Sequence, residues 1–162
     1  MERVIHEIPP IYDENSKILI LGSFPSVKSR ESQFFYGHPQ NRFWKVLAQI
    51  FHQEVPVTIE EKKKLLLENH VAVWDVIASC NIEGSSDSSI KDVIPNDLSC
   101  ILHKADIQQI YCNGGTSHRL YGKYCEPVLG RTAIKLPSTS PANAAYRLEK
   151  LVEQWEQIKD YL

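Results

Sequence analysis

Lys17-Ile18-Leu19-Ile20-Leu21-Gly22 is an unbroken apolar run closed by a glycine and followed by the loop-like Ser23-Phe24-Pro25-Ser26. Aliphatic side chains without polar alternation describe a strand covered on both faces, as in a parallel sheet sandwiched between helices. Val71-Ala72-Val73-Trp74-Asp75-Val76-Ile77 repeats the pattern. Ile107 to Cys112 forms a third such strand, ended by Asn113-Gly114-Gly115, and Thr132 to Leu136 a fourth, more alternating one suited to a sheet edge. Outward from these, Pro39 to Phe51 has helical spacing, with Phe43, Leu47, Ile50 and Phe51 on one stripe and Trp44 beside it. Thr58-Ile59-Glu60-Glu61 has the form of a capping box opening a helix through Leu67. Helices are also expected over Pro95 to Lys104, Thr116 to Cys125, and Pro141 towards Leu162, the last with Leu148, Leu151, Val152, Trp155 and Ile158 on its apolar face. The lead-in with Pro9-Pro10, the stretch Ser23 to His38 and the polar Ser79 to Ser89 are expected to be irregular. Strands alternating with helices predict an α/β fold, a three-layer α/β/α sandwich around a parallel sheet of about four strands.

The 162 residues suit one domain spanning 1–162, with 43% hydrophobic and 23% charged residues. No run approaches the ~18 apolar residues of a membrane span. Met1-Glu2-Arg3-Val4-Ile5-His6-Glu7 has no apolar leader core, so a cytoplasmic protein is expected. A net charge of −2 argues against a broad, non-specific nucleic-acid coat. It leaves room for a compact site, because Lys28, Arg30, Arg42 and Lys45 cluster in one stretch and Arg119, Lys123, Arg131 and Lys135 in another. Cys80, Cys100, Cys112 and Cys125 form no CxxC pair and are expected to be reduced, mostly buried thiols; no metal, metal cluster or cofactor is assigned.

In parallel sheets the ligand site lies beyond the carboxyl ends of the strands. Gly22 to Asn41, Asn113 to Thr116 and Pro137 to Asn143 fall there, all rich in the small and polar residues that expose backbone N–H groups to phosphate. The first segment also carries Phe34-Phe35-Tyr36. Phe34 and Phe35 are expected to pin the loop to the core, whereas Tyr36 could equally stack on a ligand. Asn41 by residue type reads as a helix N-cap. Asp75, in an apolar strand, reads as a buried hydrogen-bonded carboxylate or a contact at the strand end.

Gly22-Ser23-Phe24-Pro25-Ser26, followed by His38-Pro39-Gln40-Asn41-Arg42-Phe43-Trp44-Lys45-Val46, resembles the uracil-DNA glycosylase superfamily. The HPxNRFWKV stretch is close to that of its mismatch-specific uracil/thymine enzymes. GSFPS, FFYGHPQNRFW and the late LPSTSPA together resemble its hypoxanthine (deoxyinosine) branch. The resemblance implies hydrolysis of an N-glycosidic bond in DNA containing deaminated bases, by base flipping, in a monomer that needs no cofactor and no membrane. It places the catalytic residue at Asn41, and the base pocket and stacking at Gly22, Ser23, Phe24, Pro25, Tyr36, His38 and Asp75. DNA phosphate and the duplex wedge fall to Ser26, Arg42, Asn113, Gly114, Ser138, Thr139, Ser140, Pro141 and Ala142. Two departures stand out. Phe24 occupies the place of the water-positioning Asn in the GINPG loop of the mismatch-specific enzymes. Ser138-Thr139-Ser140-Pro141-Ala142 stands where other members have HPSPL or NPSGL. A mismatch-specific uracil glycosylase and a non-catalytic lesion-binding module are the rival functions.

Overall fold

The structure, a computed structural model, describes residues 2–162. Met1 lies outside the described residues. In chain order the elements are β1 (Glu2–Ile5), β2 (Ile18–Gly22), α1 (Val27–Ser32), α2 (Phe43–Ile50), α3 (Ile59–Glu68), β3 (Val71–Asp75), β4 (Ile77–Ile82), β5 (Lys91–Pro95), α4 (Ser99–Lys104), β6 (Gln109–Asn113), α5 (Gly115–Tyr124), α6 (Glu126–Leu129), β7 (Ala133–Leu136) and α7 (Leu148–Trp155). Short 3-10 turns lie at Asp87–Ser89 and Glu156–Tyr161.

The four expected apolar strands form one parallel sheet in the order β3-β2-β6-β7. Alternate side chains enter opposite cores, as the pleat requires. Ile18, Ile20, Val71, Val73 and Tyr111 meet Phe43, Leu47, Ile50, Leu66, Leu151 and Trp155 from α2, α3 and α7. Leu19, Leu21, Ala72, Ile110 and Cys112 face Ile101, Leu120 and Tyr121 from α4 and α5. Every side chain from Ile18 to Leu21 is completely buried. At about 1.5–3 kcal/mol each, this strand alone is a large fraction of the apolar driving force. The α/β/α sandwich is therefore as expected, and so is the capping box: Thr58 Oγ1 accepts from the Glu61 N–H at 3.1 Å, while Glu61 Oε1 accepts from the Thr58 N–H at 2.9 Å.

A second, antiparallel sheet of order β1-β4-β5 was not expected. The lead-in supplies β1, and Ser79 to Ser89 is a loop only beyond Ile82. Ile77-Ala78-Ser79-Cys80-Asn81-Ile82 carries few large apolar residues, and its strand is defined by pairing, with Val4 opposite Cys80 and Ile5 opposite Ser79. The expected strand from Val71 to Ile77 breaks at Val76, whose N–H bonds to the Gly22 carbonyl at 2.8 Å before the chain changes sheet. Three helices are shorter than expected. Pro39 to Arg42 precedes α2, Pro95 ends a strand and α4 begins only at Ser99, and the stretch from Pro141 to Arg147 lies ahead of α7. A short helix, α1, interrupts the expected loop from Ser23 to His38.

Among the described residues no helix is long and apolar enough to cross a membrane, and no group of His, Cys, Asp and Glu is placed to hold a metal. Cys80, Cys112 and Cys125 are buried and Cys100 is exposed, all unpaired. Burial pushes the Cys112 thiol up to about 12 and that of Cys125 to about 11, so both stay protonated, and poorly nucleophilic, at neutral pH. A thiol-reactive dye at pH 8 should therefore label the native protein once and fast, a reaction that Cys100→Ser removes, and label all four thiols after unfolding.

Candidate active site

The parallel register sets Gly22, the last residue of β2, beside Asp75, the last of β3. The approach is so close that a Cβ on Gly22 would stand 2.4 Å from Asp75 Oδ1 and 3.3 Å from the Tyr36 hydroxyl, which is why only glycine fits. Asp75 is buried, and its Oδ2 lies 2.7 Å from His6 Nε2. His6 Nδ1 accepts from the Ile8 N–H at 3.2 Å, so Nε2 carries the proton and donates to the carboxylate. This histidine follows β1, has a fully buried side chain, and is enclosed by the rings of Phe24, Phe35 and Trp74. It is a site residue that the sequence did not reveal, since a single histidine in a segment without periodicity carries no signal.

Phe34 and Phe35 are buried and pin the loop, as expected. Tyr36 adopts a left-handed backbone, φ +52°, and lays its ring on Phe43 with centroids 3.9 Å apart and planes 16° from parallel. One face of Tyr36 is thus already taken. Its hydroxyl is buried beside Asp75 with no hydrogen-bond partner, and burial, reinforced by that negative charge, raises its pKa. The turn behind it is held by Ser29, whose hydroxyl accepts from the Gly37 N–H at 2.9 Å.

Arg42, not Asn41, takes the N-cap position of α2; Asn41 lies one residue earlier, where its Oδ1 accepts from the Phe43 N–H at 3.0 Å. The same oxygen accepts from the Thr139 hydroxyl at 2.8 Å, which links α2 to the segment after β7. Asn113, ending β6, binds Thr139 twice, accepting its N–H and donating to its hydroxyl, each at 3.0 Å. Gly114 has φ +95°, and a Cβ there would meet Ser138 Cβ at 3.1 Å.

Two residues expected at DNA phosphate are turned inward instead. Thr139 is completely buried, with its N–H and hydroxyl both engaged. Arg42 directs its guanidinium at the carbonyls of Tyr146, Ser140 (2.8 Å) and Asn143 (3.0 Å), so it clamps a loop and has little left for phosphate. Ser26 caps α1 by accepting from the Ser29 N–H. At the rim, Ser138 and Ser140 hydroxyls accept from the Ser140 and Ala142 N–H groups. His38 Nδ1 accepts from the Gln40 N–H at 3.1 Å.

These groups surround one cleft of about 330 Å³ at the carboxyl ends of the parallel strands. All the expected site residues line it except Arg42 and Gly114, which stand behind the wall. Ser29, Phe35, Ser85 and Asp87 also line it. The last two come from a Ser-rich loop that composition marks only as a loop; it is tied by the Val27 N–H donating to Ser85 Oγ at 2.8 Å, by Arg30 donating to the Gly84 carbonyl at 2.8 Å, and by the Ser23 hydroxyl, 3.3 Å from Asp87 Oδ1.

The family model described as the uracil DNA glycosylase superfamily matches residues 9–159. The chain belongs to that superfamily. It is 36% identical over 154 residues to the hypoxanthine DNA glycosylase of Methanosarcina acetivorans, covering 93% of this chain and 94% of that one. The Methanosarcina barkeri protein of the same name is 36% identical over 140 residues, 83% and 85% of the two chains. A solution NMR structure from Methanosarcina acetivorans, described as a candidate uracil DNA glycosylase, superposes with a TM-score of 0.79 at 34% identity over 93% of each chain.

The buried pair at the cleft floor makes a stability prediction. In this superfamily member His6→Ala strands a buried carboxylate and should cost about 3–5 kcal/mol in urea unfolding. Asp75→Asn in the same chain removes the charge and should recover part of that loss; a double variant no more stable than His6→Ala would contradict the pairing.

Proposed function

We propose that this chain is a DNA glycosylase that hydrolyses the N-glycosidic bond of deoxyinosine and releases hypoxanthine from DNA. It works by base flipping, without a cofactor, as a single-domain cytoplasmic monomer spanning residues 1–162. The observation that carries this reading is the polar set at the cleft, which the Asn41 amide, the Asp75 carboxylate and Tyr36 all line. Hypoxanthine presents a 6-oxo acceptor next to an N1–H donor, whereas adenine reverses both. A carboxylate accepts only, so set opposite N1 it pairs with the N1–H of hypoxanthine, whereas adenine in the same pose presents a bare N1 acceptor to it. The hypoxanthine names of two relatives support the same substrate.

The chemistry asks little of a strong base. Breaking the bond from C1′ to the base leaves an oxocarbenium-like sugar and pushes the bonding electrons onto the departing base. Rate comes from holding the flipped nucleotide in place and from placing hydrogen-bond donors where that charge develops. Asn41 is the catalytic residue in this reading. Gly22, Ser23, Pro25 and His38 shape the pocket, and Phe24 keeps its wall apolar where the mismatch-specific enzymes hold water with an Asn. Tyr36 offers the base its ring face turned away from Phe43. With Arg42 and Thr139 engaged inside the protein, phosphate contact falls to Ser26, Ser138 and Ser140, and Pro141 and Ala142 form the exposed lip at the duplex.

Uracil carries the same edge, N3–H beside O4, so the mismatch-specific uracil reading keeps the polar set in its favour and has Phe24 against it. The decisive assay offers matched oligonucleotides with deoxyinosine, deoxyuridine or deoxyadenosine, followed by alkali. Strand breaks should appear at deoxyinosine, and Asn41→Ala should lower the rate by about 10²–10³, the usual cost of one transition-state donor. Loss of the contacts to the Phe43 N–H and the buried Thr139 hydroxyl should cost this variant about 1–3 kcal/mol, and thermal unfolding alongside checks that it stays folded. Breaks mainly at deoxyuridine would move the protein to the uracil branch; binding without breaks would make it a lesion-binding module.

A further inference from the structure

An Asn side chain can serve a glycosylase in two opposite ways. Its carbonyl can accept from the attacking water, or its amino group can donate to the departing base. The contacts around Asn41 decide between them. The Phe43 N–H is a backbone donor that cannot reverse, and it lies 3.0 Å from Oδ1; a flipped amide would set donor against donor there. Asn113 is fixed in the same manner, because the Thr139 N–H lies 3.0 Å from its Oδ1. That leaves Asn113 Nδ2 donating to the Thr139 hydroxyl at 3.0 Å. The single hydroxyl proton of Thr139 is then free to point only at Asn41 Oδ1, 2.8 Å away. The relay runs one way, from Asn113 through Thr139 to Asn41, and both lone pairs of Asn41 Oδ1 are occupied. Asn41 Nδ2 has no hydrogen-bond partner among the described residues and belongs to a half-buried residue that lines the cleft.

We propose that Thr139 is a positioning residue that locks the Asn41 amide with its NH₂ toward the cleft, so that Asn41 acts as a donor to the leaving base and not as a water acceptor. The proposal rests on the glycosylase reading above and specifies the role of its central residue. As the bond from C1′ to N9 breaks, its electron pair moves onto the base, and the Asn41 N–H stabilises that charge without giving up its proton. The water oxygen bonds to C1′, and the proton it loses ends on the released base. Thr139 touches neither sugar nor base. Its completely buried side chain and its carbonyl, which accepts from the Arg42 N–H at 3.0 Å, serve to hold Asn41 in register.

The test measures kcat and KM on deoxyinosine and deoxyuridine duplexes for the full chain and its variants, with thermal unfolding alongside. Thr139→Val should lower kcat about tenfold or more with KM changed by less than about twofold, the signature of a lost transition-state contact. Thr139→Ser keeps the hydroxyl and should restore most of kcat, and Thr139→Val should add nothing in an Asn41→Ala background. Asn41→Asp keeps the acceptor for Phe43 and Thr139 but removes the NH₂, so it should fall as far as Asn41→Ala. An Asn41→Asp enzyme as active as the native one would overturn the donor role. A Thr139→Val effect that persists in full on Asn41→Ala would overturn the positioning role. Should the native protein cleave neither duplex, the glycosylase reading fails by itself, and the lock is then judged from the Asn41 side-chain ¹⁵N–¹H₂ signals. These should move in Thr139→Val and stay in Thr139→Ser; signals unmoved by Thr139→Val would refute the lock.

Discussion

The mouth of the central sheet depends on the tie between Asn41-Arg42 and the segment from Ser138 to Tyr146. That segment has little regular structure, so its carbonyls need partners from elsewhere in the molecule. Arg42 supplies them, reaching the carbonyls of Ser140, Asn143 and Tyr146 with one planar guanidinium, while its own N–H binds the Thr139 carbonyl. A lysine could not make this fork, because its donors sit on a single nitrogen. The tie brings the start of α2 against the ends of β6 and β7, and so converts three loops that are far apart in sequence into one wall. Arg30 and Arg131 act similarly, donating to the carbonyls of Gly84 and Ile107. The basic residues that mark this chain as a DNA-binding candidate thus spend much of their hydrogen-bonding capacity on its own loops.

Another part of the cleft lining is set by sheet register. Gly22 and Asp75 are register partners, and without a Cβ at Gly22 the carboxylate comes to the cleft floor. A carboxylate at the end of an otherwise apolar strand needs compensation for desolvation, which arrives from a different sheet in the form of His6. The small antiparallel sheet is therefore more than an edge decoration. By pairing β1 with β4 it carries the N-terminal segment across to the ends of the parallel strands, where His6 and Ile8 are fixed by backbone bonds to Ala78 and by the Trp74 indole respectively.

What could be read in the sequence follows from this division. Strands whose order is imposed by burial, such as Ile18–Gly22 and Val71–Asp75, announce themselves by unbroken apolar runs. Ile77–Ile82 and Lys91–Pro95 do not, because their conformation comes from a partner strand distant in sequence, and Ser79, Asn81 and Asp92 look the same in a loop as in a sheet edge. Phe34 and Phe35 were legible as anchors because bulk apolar surface has one favoured destination. Asn41 reads by type as the cap, but the cap position falls to Arg42, and Asn41 instead binds the Phe43 N–H and the Thr139 hydroxyl through its oxygen while lining the cleft. Arg42 and Thr139 misled for a common reason: a donor able to bind phosphate is equally able to bind a carbonyl, and composition does not reveal which lies nearer. His6 could not be found at all without the pairing that brings it in.

In the proposed reading, Asp75 and Asn41 impose opposite electrostatic demands on a base held in the cleft they both line. The Asp75 side repels negative charge and favours a ring that keeps its N–H; the Asn41 side, locked as a donor in the proposed arrangement, attracts the charge that develops when the glycosidic bond breaks. A lactam base satisfies both, since its N–H faces the carboxylate while its carbonyl and ring nitrogens remain free to accept. In that same pose adenine sets its N1 acceptor against the carboxylate, at a cost of about 1–3 kcal/mol. The proposed demands come from an acceptor-only side chain at one point of the cleft and an amide that cannot reverse at another, and both placements depend on tertiary ties from outside the motifs themselves.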